Sequence, residues 1–312
     1  MAKYLFLRLL DMVPTVFLVL TLVFVAMRIL PGDPALAVLG QNADGGQLEA
    51  FRERMGLNDP LWLQYVRFLW DAVRFDFGRS LMSDVPISTL IANNLPHTIY
   101  LTITSVALGL MVGVPLGIYA ATQRNKWPDS ALRLYSLIGY SVPDFYLAAI
   151  LLVVFSLQLG WFPINGAGVG FWGGLHHILL PAITLAFLKS AFMGRLTRTS
   201  LLEVMGRDYV RTARAKGARE GRVIFRHSLR NALLPLSTGL GLSILATLSG
   251  SVAVELVFNR PGIGRLLITA IQERDYPVIQ AGVMMFAFFV ILVNLFMDFV
   301  YIIVDPRIRV KS

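Results

Sequence analysis

The sequence has no cysteine, only four histidines, and 19 Asp and Glu among its 312 residues. Without cysteine the chain can form no disulfide, thiolate metal site or cysteine nucleophile. The only adjacent histidines are His176 and His177, which would point in different directions on a helix, so no metal site is predicted. The sequence also lacks G-x-x-x-x-G-K-S/T, the loop and lysine that hold nucleotide phosphates, and the chain is therefore not predicted to bind ATP.

Apolar residues are what the sequence has in abundance. They make up 56% of the chain, whereas charged residues make up 15%. A helix needs about 20 apolar residues to cross a bilayer. Stretches of that kind lie at 9–30, 99–121, 134–159, 178–195, 234–258 and 279–304, and the fourth is the weakest because Lys189 interrupts it. The sequence therefore predicts an all-α membrane protein with six transmembrane helices.

The positive charge is distributed unevenly along the chain. In a soluble protein the net charge of +9 would suggest a nucleic-acid partner. Here eighteen Arg and Lys fall on segments predicted to face the cytoplasm and eight on the outer segments, which is the bias that sets membrane topology. Both termini are therefore expected in the cytoplasm. The first apolar run exceeds the core of about 7–15 residues found in cleavable signals, so it is predicted to be a retained helix.

These predictions divide the chain into four parts. Residues 1–30 hold the N terminus and the first span, 31–98 an extracytoplasmic segment, 99–304 the transmembrane core and 305–312 a cytoplasmic tail. Two short amphipathic helices are expected within the extracytoplasmic segment, at 48–55 and 61–73. The second carries four aromatic residues for which a belt at the membrane interface is favoured over a cofactor site: Trp62, Tyr65, Phe68 and Trp70.

The segment 201–235 is polar between apolar neighbours and reads LLEVMGRDYVRTARAKGAREGRVIFRHSLRNALLP. A continuous helical pattern is predicted up to Lys216, with apolar Leu202, Met205 and Tyr209 on one face. Gly217 ends it, because glycine adopts the left-handed conformation at low cost. A second helix is predicted from Glu220. The alternative interpretation is a basic loop that only lies on anionic lipid.

Two short helices bent at a glycine resemble the cytoplasmic coupling loop of ATP-binding-cassette (ABC) importer permeases. DYVRTARAKG followed by HSLRNALLP resembles the peptide/opine/nickel branch of that family, as do PGDP at 31–34, FNRPGIGRLL at 258–267, RDYP at 274–277 and the closing DPRIRVKS. Where the wider family favours Glu-Ala-Ala before the glycine, this chain has Arg211, Thr212 and Ala213, so an ion pair attributed to that Glu does not carry over.

The resemblance implies the type I ABC importer permease architecture and alternating access in the bacterial inner membrane. It implies a second homologous permease, two cytoplasmic ATPases that hold ATP and Mg²⁺, and an extracytoplasmic substrate-binding protein, with no cofactor in this chain and no nucleic-acid partner. Short peptides, including glutathione, are the expected solutes; nickel or opines are the alternative. The expected ATPase-docking residues are Tyr209, Arg211, Ala213, Arg214, Ala215, Lys216, Gly217, Ala218, Arg219 and Glu220.

The fifth span is rich in hydroxyl groups, which suit a water-filled passage for a polar solute. Ser243, Thr247 and Gly250 share one helical face and are predicted to line that passage, although packing inside the bundle is an equal alternative. Glu255 and Asp298 are further candidates, because burying an ionisable group is costly. A structural role is an equal alternative for the ionisable groups: Glu255 reaches the outer interface, and Lys189 pairs with Asp298 near the inner side.

Glycine and proline are frequent in the second and third spans, with Gly109, Gly113 and Gly117 in the second and Pro143 in the third. Small residues allow close helix contact and prolines free backbone carbonyls, so these spans suit either a moving passage or simple packing. A stand-alone secondary transporter is less favoured, since the spans hold few charges and no obvious inverted repeat. An intramembrane protease is not favoured either, because no His lies deep in a span and no second Asp is expected at the depth of Asp298.

Overall fold

A computed structural model describes residues 2–29, 34–39, 44–54 and 56–304. PGDP at 31–34, apart from Pro34, and the tail 305–312 lie outside the described residues. The helices within them are α1 (Ala2–Ile29), α2 (Pro34–Leu39), α3 (Gly45–Arg54), α4 (Leu61–Arg74), α5 (Ile87–Thr122), α6 (Trp127–Ser141), α7 (Asp144–Leu151), α8 (Gly170–Met205), α9 (Asp208–Ala215), α10 (Glu220–Arg222), α11 (Arg230–Val257), α12 (Ile263–Glu273) and α13 (Tyr276–Val304). Leu152–Gln158 and Val223–Leu229 are π-helical turns that extend α7 and lead into α11. The described part of the chain is thus all-α, as predicted.

Within the described residues, five helical segments are long and apolar enough to span a bilayer: α1, α5, α8, the continuous run Glu220–Val257, and α13. A sixth span results if α6 and α7, with its π-helical extension, count as one bent crossing. The helices extend well beyond the apolar cores that the sequence marks. α5 and α8 each have 36 residues, which is about 54 Å at 1.5 Å per residue and exceeds the roughly 30 Å hydrocarbon layer.

The prediction of one continuous third span at 134–159 is wrong. α6 ends at Ser141, α7 begins at Asp144, and the two parts are bent by 97°. Pro143 causes the break, because proline has no N–H to donate and forces the preceding residue out of the helical region. Val142 accordingly has extended backbone angles, φ −98° and ψ 118°.

The chain divides into two compact units, Met1–Pro96 with Pro261–Leu292 and His97–Arg260 with Val293–Ser312. In the first unit α4 packs on α1, where Phe24 meets the rings of Tyr65 and Phe68 at 5.1 and 5.7 Å. Trp62 and Trp70 of the same helix are exposed. The two short helices predicted in 31–98 are therefore present as α3 and α4, and α4 uses one aromatic face for packing.

One carboxylate, that of Asp275, joins two distant parts of the first unit. Asp275 of RDYP is buried, and it accepts a hydrogen bond from the buried hydroxyl of Ser80 and another, at 3.2 Å, from the backbone N–H of Leu81. A further hydrogen bond of the first unit runs from the Gly262 N–H to the side-chain oxygen of Asn94, at 3.1 Å. These contacts join residues of the first unit that lie far apart in sequence.

The second unit is built around α8, against which α6, α7 and α11 pack. The glycines of α5 bring that helix into backbone contact with α8. A Cβ atom at Gly113 would lie 2.5 Å from the Ser190 carbonyl oxygen, and one at Gly117 would lie 2.5 Å from that of Gly194. No side chain fits at either position, so in this structure these two glycines serve close packing.

Candidate functional site

The segment 201–235 forms two helical pieces that are separated from α8 by a sharp break. α8 ends at Met205, Arg207 is extended with ψ 148°, and α9 begins at Asp208. The prediction of one continuous helix as far as Lys216 is therefore wrong at Gly206–Arg207. The face on which Leu202, Met205 and Tyr209 were expected to align is divided between two helices.

The turn at Gly217 has the predicted conformation. Its φ is +78°, in the left-handed region, and its N–H donates to the Arg214 carbonyl at 2.9 Å. Across the turn Arg214 makes a two-pronged contact with Glu220, from Nε to Oε1 at 2.7 Å and from Nη2 to Oε2 at 3.3 Å. A planar guanidinium that meets both carboxylate oxygens fixes the direction of the pair. The α9–α10 corner is therefore held by its backbone and by an ion pair.

One side of this corner is anchored and the other is open. Val210 of α9 and Val223 after α10 are fully buried, and the Tyr209 hydroxyl accepts a hydrogen bond from Asn231 Nδ2 at 3.0 Å. Ala213 and Ala218 are half-buried. The exposed residues are Tyr209, Arg211, Arg214, Ala215, Lys216, Gly217, Arg219 and Glu220. The predicted docking residues thus form a basic, solvent-facing corner with a fixed backbone.

Asp129, which belongs to none of the sequence motifs, fixes the C-terminal part of α8. The carboxylate has no exposed surface and is held by Arg198 of α8 and by Arg133 at 2.6 Å. It also accepts the N–H of Asn125 at 2.9 Å. The short segment 124–129, RNKWPD, is thereby tied to the end of α8 that leads into α9. From the sequence alone, Asp129 is recognisable only as the acidic residue of a short basic loop.

The α11 face predicted to line a passage is packed against α7 and α8 in this structure. Ser243 and Thr247 are 2% and 0% exposed, and the Thr247 hydroxyl donates to the Ser243 carbonyl at 2.6 Å. Gly250 is half-buried. The opposite face is exposed and carries Thr238, Leu242, Ala246 and Ser249. The passage assignment stays a prediction, and the observed burial matches the packing alternative.

The ionisable groups of the spans have surroundings that the sequence does not predict. Glu255 is fully buried and accepts a hydrogen bond from the Thr98 hydroxyl at 2.7 Å. Within the described residues Lys189 forms no ion pair, so the expected alternative of a pair with Asp298 is not found. Asp298 is half-buried on α13. The sequence does not mark Asp144 as a candidate, because it directly follows Pro143 inside an apolar stretch that predicts a membrane span.

Comparison with known proteins decides which family has this architecture. The profile of the family described as "binding-protein-dependent transport system inner membrane component" matches residues 113–310, and the N-terminal profile of the same system matches residues 1–102. The chain belongs to this permease family. The glutathione transport system permease protein GsiC of Escherichia coli K12 is 43% identical to the permease over 311 residues, and so is that of Shigella flexneri serotype 5b; each alignment covers 100% of both chains.

Solved structures agree at the level of the fold. Two inward-facing crystal forms of the MetNI methionine ABC transporter align with TM-scores of 0.59 and 0.57, at 16% and 19% sequence identity. Each alignment covers 70% of the permease and 98% of the matched chain. The permease is therefore a multi-pass inner-membrane subunit of an ABC importer, and its family works with ATPase and substrate-binding components.

Proposed function

We propose that the permease carries short peptides of the dipeptide, oligopeptide or glutathione class into the cell by alternating access. The observation that carries this proposal is the full-length likeness to glutathione permeases, combined with a rigid, exposed α9–α10 corner. The corner follows directly from α8 and leads into α11. A force applied to it by an ATPase would therefore act on two helices of the bundle at once.

The proposed complex contains a second permease of the same family, two cytoplasmic ATPases carrying ATP and Mg²⁺, and an extracytoplasmic substrate-binding protein. The ATPases dock on the α9–α10 corner, where Arg211, Lys216 and Arg219 are exposed. The second permease covers part of the apolar surface of the bundle, which includes exposed Leu242 of α11. Transport of nickel or an opine by the same machinery is the second candidate, and it differs only in the solute.

The solute class can be tested with the purified complex in proteoliposomes. We expect dipeptides, tripeptides or glutathione, presented by the binding protein, to raise ATP hydrolysis several-fold, whereas chelated nickel and opines leave it at the basal rate. The same liposomes without binding protein are the control. A chain that purifies without ATPases, or a complex stimulated only by nickel or opines, would contradict the peptide assignment.

The orientation of the permease is predicted from the charge bias, and the absence of native cysteine gives a background-free labelling assay. Cysteine at Asp44 or Asp84, both exposed, is expected to react with an impermeant maleimide from outside intact cells. Cysteine at Lys126 or Glu220, also exposed, is expected to react only after the cells are opened. Labelling of position 220 from outside would reverse the proposed topology.

A further inference from the structure

The bend in the third span exposes a carboxylate inside the helical bundle. Asp144 is the first residue of α7, directly after Val142 and Pro143. The position favours a negative charge, since the first turn of a helix presents unpaired N–H groups and the positive end of its dipole. Asp144 is only half-buried, and no hydrogen bond to its carboxylate is found within the described ranges. It is therefore a charged group in a span with unused hydrogen-bonding capacity.

A cation faces the same region from α8. Lys189 is 4% exposed, and among the residues that the structure describes no side chain forms an ion pair with it. Leu185, one helical turn before Lys189 on α8, lies 3.4 Å from the position of a Cβ atom at Gly250, which is the position that the Asp144 carboxylate also approaches. The aliphatic part of the Lys189 side chain begins close to α5, because a Cβ atom at Gly109 would lie 2.9 Å from the Lys189 Cβ. Opposite charges in a low-dielectric interior are costly when they are not paired directly.

The third helix that borders this region is α11, which contributes Gly250, a residue predicted from the sequence to line the passage. A Cβ atom at Gly250 would lie only 2.7 Å from Asp144 Oδ2. The missing side chain at Gly250 leaves room for the carboxylate beside α11. Asp144, Lys189 and Gly250 thus come from three helices, α7, α8 and α11, that pack on one another.

We propose that Asp144 and Lys189 form a binding site for the charged groups of a zwitterionic peptide, and this rests on the proposed function. The carboxylate of Asp144 receives the protonated amino group, and the ammonium of Lys189 receives the peptide carboxylate. A zwitterion supplies both missing partners without adding net charge to the bundle. A lone metal cation could pair with Asp144 but would leave Lys189 without a counter-ion.

The site is tested by binding to the purified complex in the absence of ATP and of the binding protein, so that only the permeases select the ligand. The probes are radiolabelled dialanine, its N-acetyl form and its C-terminal amide. Wild type is expected to bind dialanine at least about tenfold more tightly than either capped form, because each cap removes one charge-assisted hydrogen bond. Asp144→Asn should lose discrimination against the N-acetyl form only, and Lys189→Gln discrimination against the amide only.

Three further variants separate binding from folding. Asp144→Glu keeps the charge and should restore part of the amino-group preference. The double variant Asp144→Asn/Lys189→Gln removes both charges and should assemble while binding all three probes equally. Asp84→Asn is the matched control, since Asp84 is 86% exposed in an outer turn and Asn tolerates its φ of +55°.

Failure of the site and failure of the proposed function give different results. If wild type imports dialanine while Asp144→Asn keeps the full amino-group preference, the site is wrong and the peptide function stands. Import of dialanine by a complex that binds none of it without the binding protein would also overturn the site. If the wild-type complex neither binds nor imports any peptide, the proposed function itself fails.

Discussion

Gly217→Val is expected to abolish solute uptake while the permease still inserts into the membrane. Gly217 has φ +78°, and a β-branched residue there costs on the order of 1–2 kcal/mol. No neighbouring atom lies within 4 Å of the position of an added Cβ. The whole effect therefore comes from backbone conformation, and the α9–α10 corner should lose the shape in which Arg214 meets Glu220. The measurements are uptake and ATPase co-purification at matched expression.

The turn offers two informative controls. Gly217→Asn is expected to retain most of the uptake, because asparagine tolerates the left-handed region better than other residues with a side chain. Arg230→Glu reverses a cation without changing the turn and should also have a small effect. If Gly217→Val transports like wild type while Arg230→Glu does not, the segment 201–235 is an electrostatic tether to lipid. Docking of ATPases on it would then have to be abandoned.

Asp129→Asn is expected to give the largest loss of stability among single substitutions at charged residues of the second unit. The substitution leaves Arg198 without its carboxylate partner, and Asp129 itself has no exposed surface. Because Arg133 is largely exposed, we expect about 3 kcal/mol, the lower end of the range for breaking a buried ion pair. Thermal unfolding of the detergent-solubilised complex measures this directly.

An exposed ion pair of the same region provides the comparison. Glu203 accepts a hydrogen bond from Arg207 at 2.6 Å, but both side chains are largely exposed. Glu203→Gln should therefore cost less than about 1 kcal/mol. Adding Arg198→Gln to Asp129→Asn should recover part of the lost stability, because the unpaired guanidinium is then removed. Equal melting temperatures for Asp129→Asn and Glu203→Gln would mean that Asp129 does not hold the loop to α8.

The sequence alone determined the features that depend on local composition and local backbone chemistry. Long apolar runs predicted membrane helices because a bilayer admits few other structures. Gly217 predicted a left-handed turn because few other residues adopt that conformation at low cost, and the structure has it. The motifs around 201–235 and 258–267 predicted the permease family, which the comparisons confirmed.

Tertiary structure decided which groups meet. Sequence cannot reveal that Asp129 pairs with Arg198, 69 positions away, or that Ser80 donates to Asp275, 195 positions away, because such contacts depend on how helices pack. The third span looked continuous because its residues are apolar on both sides of Pro143, and only the fold shows the chain turning by 97° there. The hydroxyl-rich α11 likewise has two faces, and only its neighbours α7 and α8 determine which face is buried. Side-chain chemistry limits the possible roles of a residue, whereas helix packing fixes the partners with which it can act.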